Sequence, residues 1–219
     1  MSTISVMQPY FFPYLGYYRL MAHSDVFVIL DTVQFPRRGW VHRNRFTTRN
    51  GLEKWVGLSL EKGNRDTTMI SDLTFKDGAR EQLESRFEDT QIWNALQANS
   101  ETYDLIFNLD AKPSQYLRQT LEFMLRKLNL NSIVLNASDL GISESLKSED
   151  RLIAIVRELG GSSYLNLSGG IHLYDQRNFN NQGISLKFLD PYQGIKTSIL
   201  ERLIFEGVDN LRKEILGYK

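Results

Sequence analysis

The first part of the chain alternates between apolar segments and one amphipathic segment. Ser2–Met7 is predicted to be a short strand, and Val26–Leu30 is a continuous apolar run that ends at Asp31. Continuous apolar runs of this length are typical of strands covered on both faces, as in parallel sheets. Between the two strands, apolar residues recur at helical spacing in Tyr14–Ser24. The first 31 residues are therefore predicted to form a β–loop–α–β unit.

A different pattern follows in the middle of the chain. Val41–Phe46 and Leu52–Leu60 are predicted to be strands joined at Asn50-Gly51, a strong hairpin signal. Helical spacing then appears in Ala79–Ala98 and in Pro113–Leu128, where the proline suits the start of a helix. We expect a β-hairpin and then a helical insertion.

Alternation resumes in the last third of the chain. The predicted strands there are Ser132–Leu135, Ser163–Leu167 and Ile184–Leu189. The predicted helices are Ser148–Leu159, Tyr174–Asn181 and one or two helices within Ile195–Leu216. Ser148 resembles an N-cap, and Gly160-Gly161 is expected to end the helix that begins there.

The whole pattern predicts one α/β domain over residues 1–219, with a helical insertion around residues 76–129. Strands that alternate with helices favour a Rossmann-like, mostly parallel sheet. In such sheets ligands bind beyond the carboxyl ends of the strands. The segments expected at that rim are Gln8–Tyr14, Asp31–Arg38, Asn136–Asp139, Ser168-Gly169-Gly170 and Asp190-Pro191-Tyr192.

Composition narrows the function classes. The 219 residues include 26 Lys plus Arg and 26 Asp plus Glu, so no overall field attracts nucleic acid or an anionic membrane. The chain has no cysteine, which excludes disulfides, zinc-thiolate sites and a cysteine nucleophile. Its three histidines have no metal-ligand spacing, so we predict no metal site. Without a predicted signal segment or membrane span, we expect a cytoplasmic protein with no membrane insertion.

The first rim loop is rich in rigid aromatic surface. Gln8–Tyr18 contains six aromatic residues, two prolines and one glycine. Tyr10 and Tyr17 are candidate substrate-binding residues together with Gln8. The segment Tyr14-Leu15-Gly16-Tyr17 resembles the layout of the His-x-Gly-His turn of nucleotidylyltransferases, where a helix N-terminus receives a phosphate. Tyrosine replaces both histidines, which favours nucleotide binding over nucleotidyl transfer. The alternative is that the aromatic side chains form the core of the loop.

The second rim segment concentrates cations. Five arginines and no acid lie between residues 37 and 49. The candidate substrate-binding residues here are Gln34, Arg38, Trp40, Arg43, Asn44 and Arg45. The arginines suit a diphosphate clamp, and the tryptophan suits stacking on a base or sugar. The alternative is a solvated arginine face on the hairpin.

Candidate catalytic groups are few. His42 is the first choice as a general base because histidine titrates near pH 7. Asp31 could orient it or accept an amine proton, or could simply begin a turn. His172 is a second candidate base, and His23 is expected to be structural. Ser168 and Gly169 could present backbone N–H groups to an anion, or could form a plain turn.

Several of these segments together resemble the WbqC-like family. They are Gln8–Tyr18, Asp25–Asp31, Val33–Phe35, Arg38–Arg45, Tyr164–Tyr174, Phe179, Gly183-Ile184 and Ser198–Leu200. The resemblance covers nearly the whole chain and is most specific in its first fifty residues. It implies a part in the biosynthesis of O-antigen or a related bacterial surface polysaccharide.

The resemblance further implies an N-acyltransferase that attaches an acyl or aminoacyl group to the amine of a nucleotide-linked amino sugar. No tightly bound cofactor is expected. The acyl donor would be a thioester on an acyl carrier protein or coenzyme A. Two alternatives stay open: a non-catalytic nucleotide-sugar-binding or scaffold protein, and a nucleotide-dependent ligase related to nucleotidylyltransferases.

Overall fold

The computed structural model describes residues 2–64 and 66–217. Within these residues the strands are β1 (Ser2–Met7), β2 (Val26–Ile29), β3 (Arg43–Thr47), β4 (Glu53–Gly57), β5 (Ile133–Asn136), β6 (Gly161–Leu167) and β7 (Ser185–Leu189). The α-helices are α1 (Leu15–Ala22), α2 (Ala79–Glu88), α3 (Trp93–Gln97), α4 (Ser100–Phe107), α5 (Pro113–Lys127), α6 (Ser148–Glu158), α7 (Gln176–Asn180), α8 (Ile199–Glu206) and α9 (Val208–Gly217).

Five strands form a parallel sheet in the order β5-β2-β1-β6-β7, and β3 pairs with β4 in a separate antiparallel hairpin. Counted within the sheet alone, this order is 3-2-1-4-5, as in a Rossmann fold. The predicted α/β Rossmann-like fold with a hairpin is confirmed. The strand order reverses between β1 and β6, so the topological switch point lies at the carboxyl ends of these two strands.

The core has two parts because successive side chains of a strand point to opposite faces. On one face, Ile4, Val6 and Val28 pack with residues of α6 and α7. On the other face, Phe27 and Ile29 pack with a larger cluster. That cluster includes the aromatic loop after β1, residues of the hairpin, and apolar residues of α1, α4, α5, α8 and α9. The side chains of the first rim loop are therefore fixed by the main core.

Two local predictions need correction. The helical pattern at 79–98 is divided between α2 and α3, with a turn at Asp89 and Thr90 that pairs with the hairpin: Arg49 N donates to Asp89 O over 2.9 Å. Ser148 is not an N-cap, because it lies inside α6 with φ of +48°, and the preceding Lys147 makes no side-chain cap. The approach to α6 is held by Arg151, which donates to the carbonyls of Leu146 and Glu144.

The described residues lack both membrane-spanning helices and clusters of metal ligands. None of their helices combines the length and the apolar character needed to cross a membrane. Residues 2–64 and 66–217 also contain no group of three or more metal-ligating His, Asp or Glu side chains.

Candidate functional site

A cleft of about 510 Å³ lies at the carboxyl ends of β1 and β6, where the topology predicts a ligand site. We call it the switch-point cleft. Its lining residues come from the end of β1 and the loop after it, the start of α1, the segment before β3, β3 itself, the end of β6 and the loop before α8. They are Met7, Gln8, Pro9, Tyr10, Tyr14, Tyr17, Pro36, Gly39, Trp40, Val41, Arg45, Leu167 and Lys196.

Aromatic rings form a continuous wall of the cleft. The ring of Tyr10 lies 6.1 Å from Tyr17, 6.5 Å from Tyr14 and 5.4 Å from Trp40, measured between centroids. Behind Trp40 stands the ring of Trp55, 4.9 Å away. Rings at such distances attract one another and hold their orientation. The wall therefore offers flat aromatic surfaces that are already held in position before a ligand binds.

The loop that carries Tyr10 is braced from two distant parts of the chain. Phe12 has a φ of +45° and is fully buried. Its carbonyl accepts hydrogen bonds from Asn44 Nδ2 at 2.7 Å and from Ser198 Oγ at 3.0 Å. Positive φ in a bulky residue is strained, and it persists only where the surroundings determine it strongly. The hairpin and the N-cap of α8 together fix this turn.

Gly16 allows the closest packing beside the cleft. A Cβ at this position would lie 2.4 Å from the ring of Tyr14 and 3.0 Å from Tyr192. Those two rings lie 5.7 Å apart. A side chain at residue 16 would displace the Tyr14 ring from its place in the wall, so glycine is required for the observed shape.

Two cations line the cleft, and one of them was not expected from the sequence. The Arg45 guanidinium lies 5.3 Å from the Trp40 ring and pairs with Glu53 at 2.9 Å, in an ion pair that is about half exposed. Lys196 is exposed and makes no salt bridge with the described residues. Both cations can therefore turn toward an anionic ligand at low cost.

The Arg43 side chain contacts other residues of the protein and does not line the cleft. Its Nε donates to Gly39 O at 3.1 Å and its Nη2 to Arg38 O at 2.8 Å. The guanidinium also stacks 4.2 Å above the Trp55 ring. Arg38 is exposed and, with Gln34, lines an open depression formed by residues 34–39 that adjoins the cleft.

Two tyrosines of the cleft, Tyr10 and Tyr17, donate hydrogen bonds to the protein. Tyr17 donates to the carbonyl of Gln8 at 2.8 Å. Tyr10 reaches the side-chain oxygen of buried Asn44 at 3.4 Å, so Asn44 supports the wall from behind. Burial raises the pKa of Tyr10, Tyr14 and Tyr17, which keeps these phenols protonated at neutral pH.

The structure places His42 outside the switch-point cleft. It lines a smaller neighbouring cavity of about 260 Å³, with its ring 5.0 Å from Phe35. Burial and the positive charges of Arg43 and Arg86 lower the pKa of His42 to about 4. Its imidazole is neutral at pH 7, but it does not face the aromatic wall.

Asp31 also lies away from the cleft, and the structure does not pair it with His42. Its carboxylate is fully buried and accepts hydrogen bonds from Asn136 Nδ2 at 2.9 Å, Ser138 N at 2.9 Å and Ser138 Oγ at 2.7 Å. These contacts tie the end of β2 to the segment after β5. The Asp31 carboxylate therefore has a structural role, since its hydrogen bonds join two segments at the carboxyl edge of the sheet.

Ser168 and Gly169 begin a 3-10 helix, Ser168–Leu173, directly after β6. Ser168 is half-buried and Gly169 is exposed, whereas the preceding Leu167 lines the cleft. The other two histidines are exposed, and His23 caps the end of α1 with Nδ1 2.8 Å from Arg19 O.

Of the predicted site residues, the structure gathers Gln8, Tyr10, Tyr17, Trp40 and Arg45 around one cleft. Lys196 and Leu167 were not predicted from the sequence. The segments after β6 and β7 were nevertheless placed at the ligand-binding edge of the sheet, because both follow the carboxyl ends of strands. The described lining residues include no carboxylate and no imidazole. Chemically, the cleft can stack a planar ring, bind phosphate and donate hydrogen bonds to a developing negative charge.

Comparison with known proteins gives three findings. The chain is 26% identical over 211 residues to an uncharacterised protein of Mycobacterium tuberculosis (strain ATCC 25618 / H37Rv), Rv1507c, covering 90% of this chain and 85% of that protein. No solved structure gives a significant match. The model of the WbqC-like protein family matches residues 8–197, which include the aromatic loop, the hairpin and Lys196. The chain therefore belongs to the WbqC-like protein family.

Proposed function

We propose that this protein is an N-acyltransferase that acts on the amine of a nucleotide-linked amino sugar during surface-polysaccharide biosynthesis. One observation carries the proposal: an aromatic cleft with two cations at its rim lies at the switch point of a Rossmann-ordered sheet. Nucleotides bind at this place in such sheets. The remainder follows from what the residues of the cleft can contact.

The cleft matches the separate parts of a nucleotide sugar. Trp40 and Tyr10 offer stacking faces for a base or a sugar ring. Arg45 and Lys196 offer charge to the diphosphate, since Arg45 gives up only an exposed ion pair and surface pairs contribute little. Gln8, which is exposed in the cleft, can bond sugar hydroxyls.

The reaction would be a direct aminolysis. The neutral sugar amine attacks the thioester carbonyl, a C–N bond forms, the C–S bond breaks, and the thiolate leaves. The proton lost by the nitrogen protonates the thiolate or passes to water. The cationic donors of the cleft would stabilise the oxyanion of the tetrahedral intermediate, and the bound geometry would supply proximity.

A single assay separates this proposal from simple binding. The purified chain is mixed with an acyl-coenzyme A or an acyl carrier protein thioester, and free thiol is measured with and without nucleotide-linked amino sugars. Release of thiol that requires an amino sugar is expected. Thiol release that is independent of the sugar's amine would contradict the proposal.

Binding is tested by calorimetry with the same nucleotide sugars. Trp40→Ala should weaken binding by about 1–3 kcal/mol, as expected for loss of one stacking contact. Lys196→Ala should weaken it by about 1.5–3 kcal/mol, as expected for loss of a charged hydrogen bond. Lys187→Ala is the matched control, since Lys187 is an exposed lysine on β7 that does not line the cleft.

A second candidate is a non-catalytic nucleotide-sugar-binding protein. It is favoured by the lack of a carboxylate or imidazole among the described lining residues of the cleft. Tight binding of a nucleotide sugar without thiol release from any thioester would favour it. Consumption of ATP in the same assay would instead favour a ligase related to nucleotidylyltransferases.

A further inference from the structure

A second cavity lies at the same edge of the sheet. Its volume is about 490 Å³, within the range of sites for small molecules. It is enclosed by the segment after β2, the start of α6 and the 3-10 helix after β6. Its apolar walls are Leu30, Val33, Met69, Leu152, Leu173 and Tyr174. We call it the apolar cavity.

Four charged residues line the apolar cavity: Arg151 and Glu149 are engaged by the protein, whereas Glu144 and Lys147 are exposed and make no salt bridge with the described residues. Arg151 donates to the carbonyls of Thr32 at 2.6 Å, Leu146 at 2.9 Å and Glu144 at 3.1 Å. Glu149 accepts from Asn178 Nδ2 at 2.7 Å and from the backbone N–H of Asp175. The lining thus carries two carboxylates and two cations, which balance in charge, and the rest of the surface left for a ligand is mainly apolar. The switch-point cleft differs in its charge, since Arg45 and Lys196 line it and no carboxylate balances them among the described lining residues.

The two sites are joined by the open depression of residues 34–39. Gln34 lines both the apolar cavity and this depression, whereas Pro36 and Gly39 line both the depression and the switch-point cleft. The floors of the two sites are also tied together, because Leu30 N donates to Met7 O over 2.7 Å. One groove thus runs along the carboxyl edge of the sheet, apolar at one end and cationic at the other.

We propose that the apolar cavity binds the pantetheine arm of the thioester donor and that the thioester then lies over residues 34–39, beside the amine in the switch-point cleft. This inference rests on the proposed function. An arm of amides and methyl groups carries no charge along most of its length and suits apolar walls with a few polar groups. Transfer between two substrates also requires adjoining sites that can be filled together.

The test uses two exposed residues of the same 3-10 helix. Leu173 is 63% exposed and lines the cavity, whereas Ile171 is 52% exposed and does not. Calorimetry follows the binding of S-butyryl-pantetheine to the native chain, to Leu173→Asp and to Ile171→Asp. We expect Leu173→Asp to raise the Kd at least about tenfold, since a carboxylate is poorly tolerated in an apolar wall. Ile171→Asp should stay within about twofold of native.

A second titration adds a saturating nucleotide sugar. The native chain should bind both ligands together, and Leu173→Asp should keep its native affinity for the nucleotide sugar. Competition between the two ligands, equal effects of both aspartates, or no binding of the pantetheine thioester by the native chain would overturn the inference.

The two proposals can fail separately. Loss of pantetheine binding in Leu173→Asp but not Ile171→Asp would support the apolar cavity even if no nucleotide sugar bound to the switch-point cleft. Conversely, sugar-dependent thiol release that is unchanged by Leu173→Asp would leave the proposed function intact and overturn the donor site.

Discussion

The loops after β1 and β2 both reach the switch-point cleft, but they are built in opposite ways. In the first loop, Phe11 and Phe12 are fully buried and only the side chains beside them face the cleft. In the second, Gln34, Arg37 and Arg38 are exposed. The first loop is therefore a piece of the core that gives the site its shape. The second is a surface segment that supplies charged and polar groups.

The braces of the two loops differ in the same way. The carbonyl of Phe12 is held by buried Asn44 and Ser198, which belong to other elements of the fold. The second loop is held by backbone hydrogen bonds to residues 68–71 along its first half. Its exposed second half is held by arginines: Arg43 bonds the carbonyls of Arg38 and Gly39, and Arg37 bonds that of Gly63. A strained turn needs a buried support, whereas an exposed turn can be held by a cation that remains partly in water.

The largest effect should come from removing the buried brace. Asn44→Ala should lower the free energy of unfolding by about 2–3 kcal/mol. It removes one of the two donors to the Phe12 carbonyl and leaves the backbone N–H of Arg45 without its acceptor. Ser198→Ala should cost less, and the double variant should be non-additive because both side chains share one acceptor. Urea unfolding measures all three. Exposed Asn94→Ala is the control and should change stability by less than about 0.5 kcal/mol.

The next effect should separate two arginines of the same strand. Arg43→Ala should lower the free energy of unfolding by about 1.5–3 kcal/mol, the range for hydrogen bonds to a charged group. Arg45→Ala should barely change stability, since its ion pair with Glu53 is exposed, but should weaken nucleotide-sugar binding. Thermal unfolding and calorimetry on both variants provide the comparison. If Arg45→Ala proved the more destabilising, the assignment of one arginine to structure and the other to ligand would be lost.

A smaller effect is expected at the start of α1. Gly16→Ala adds a Cβ that meets the ring of Tyr14, and we expect a loss of about 1–2 kcal/mol through overpacking. Binding of a nucleotide sugar should also weaken, because Tyr14 lines the cleft and must shift from its position. Gly217→Ala near the end of α9 is the matched control: nothing lies within 4 Å of its new Cβ. Equal Tm values for the two variants would show that residue 16 has room for a side chain.

The last effect appears only in acidic solution and concerns His42, which lines the cavity beside the second loop. The pKa of His42 is about 4 in the folded chain and 6.5 without the surroundings of the fold. The unfolded chain therefore binds more protons than the folded chain between these two pH values. Stability from the neutral His42 is present above pH 6.5 and is lost as the pH falls toward 4. His42→Gln should therefore flatten the decline of the unfolding free energy over that window. An identical decline in both proteins would mean that the imidazole keeps its ordinary pKa.

Much of this architecture could be predicted from local sequence. The apolar runs located β1 and β2, Pro113 marked the first residue of α5, and Asn50-Gly51 marked the hairpin turn, where Gly51 has a φ of +82°. Each of these signals is a period or a turn geometry that neighbouring residues encode by themselves. Because the carboxyl ends of parallel strands meet at one edge of a sheet, the aromatic and cationic segments that follow β1 and β2 could then be placed at that edge.

The membership of the cleft could not be predicted in the same way. His42 and Arg45 are three residues apart, yet only Arg45 lines the switch-point cleft. Lys196 reaches it from a loop more than a hundred residues away from the hairpin along the chain. Sequence spacing does not determine which cavity a side chain enters, because that depends on how the hairpin packs against the sheet.

The sequence by itself determined the class of the fold, the family, and a rim rich in tyrosine, tryptophan and arginine. Only the tertiary structure decided which of these groups are free to meet a ligand. It committed Arg43 to two backbone carbonyls and Asp31 to Asn136 and Ser138, and it left Arg45 and Lys196 at the cleft. The physical reason is that strand period and turn geometry are local properties of the chain. Burial and the pairing of polar groups depend on contacts between segments that only folding brings together.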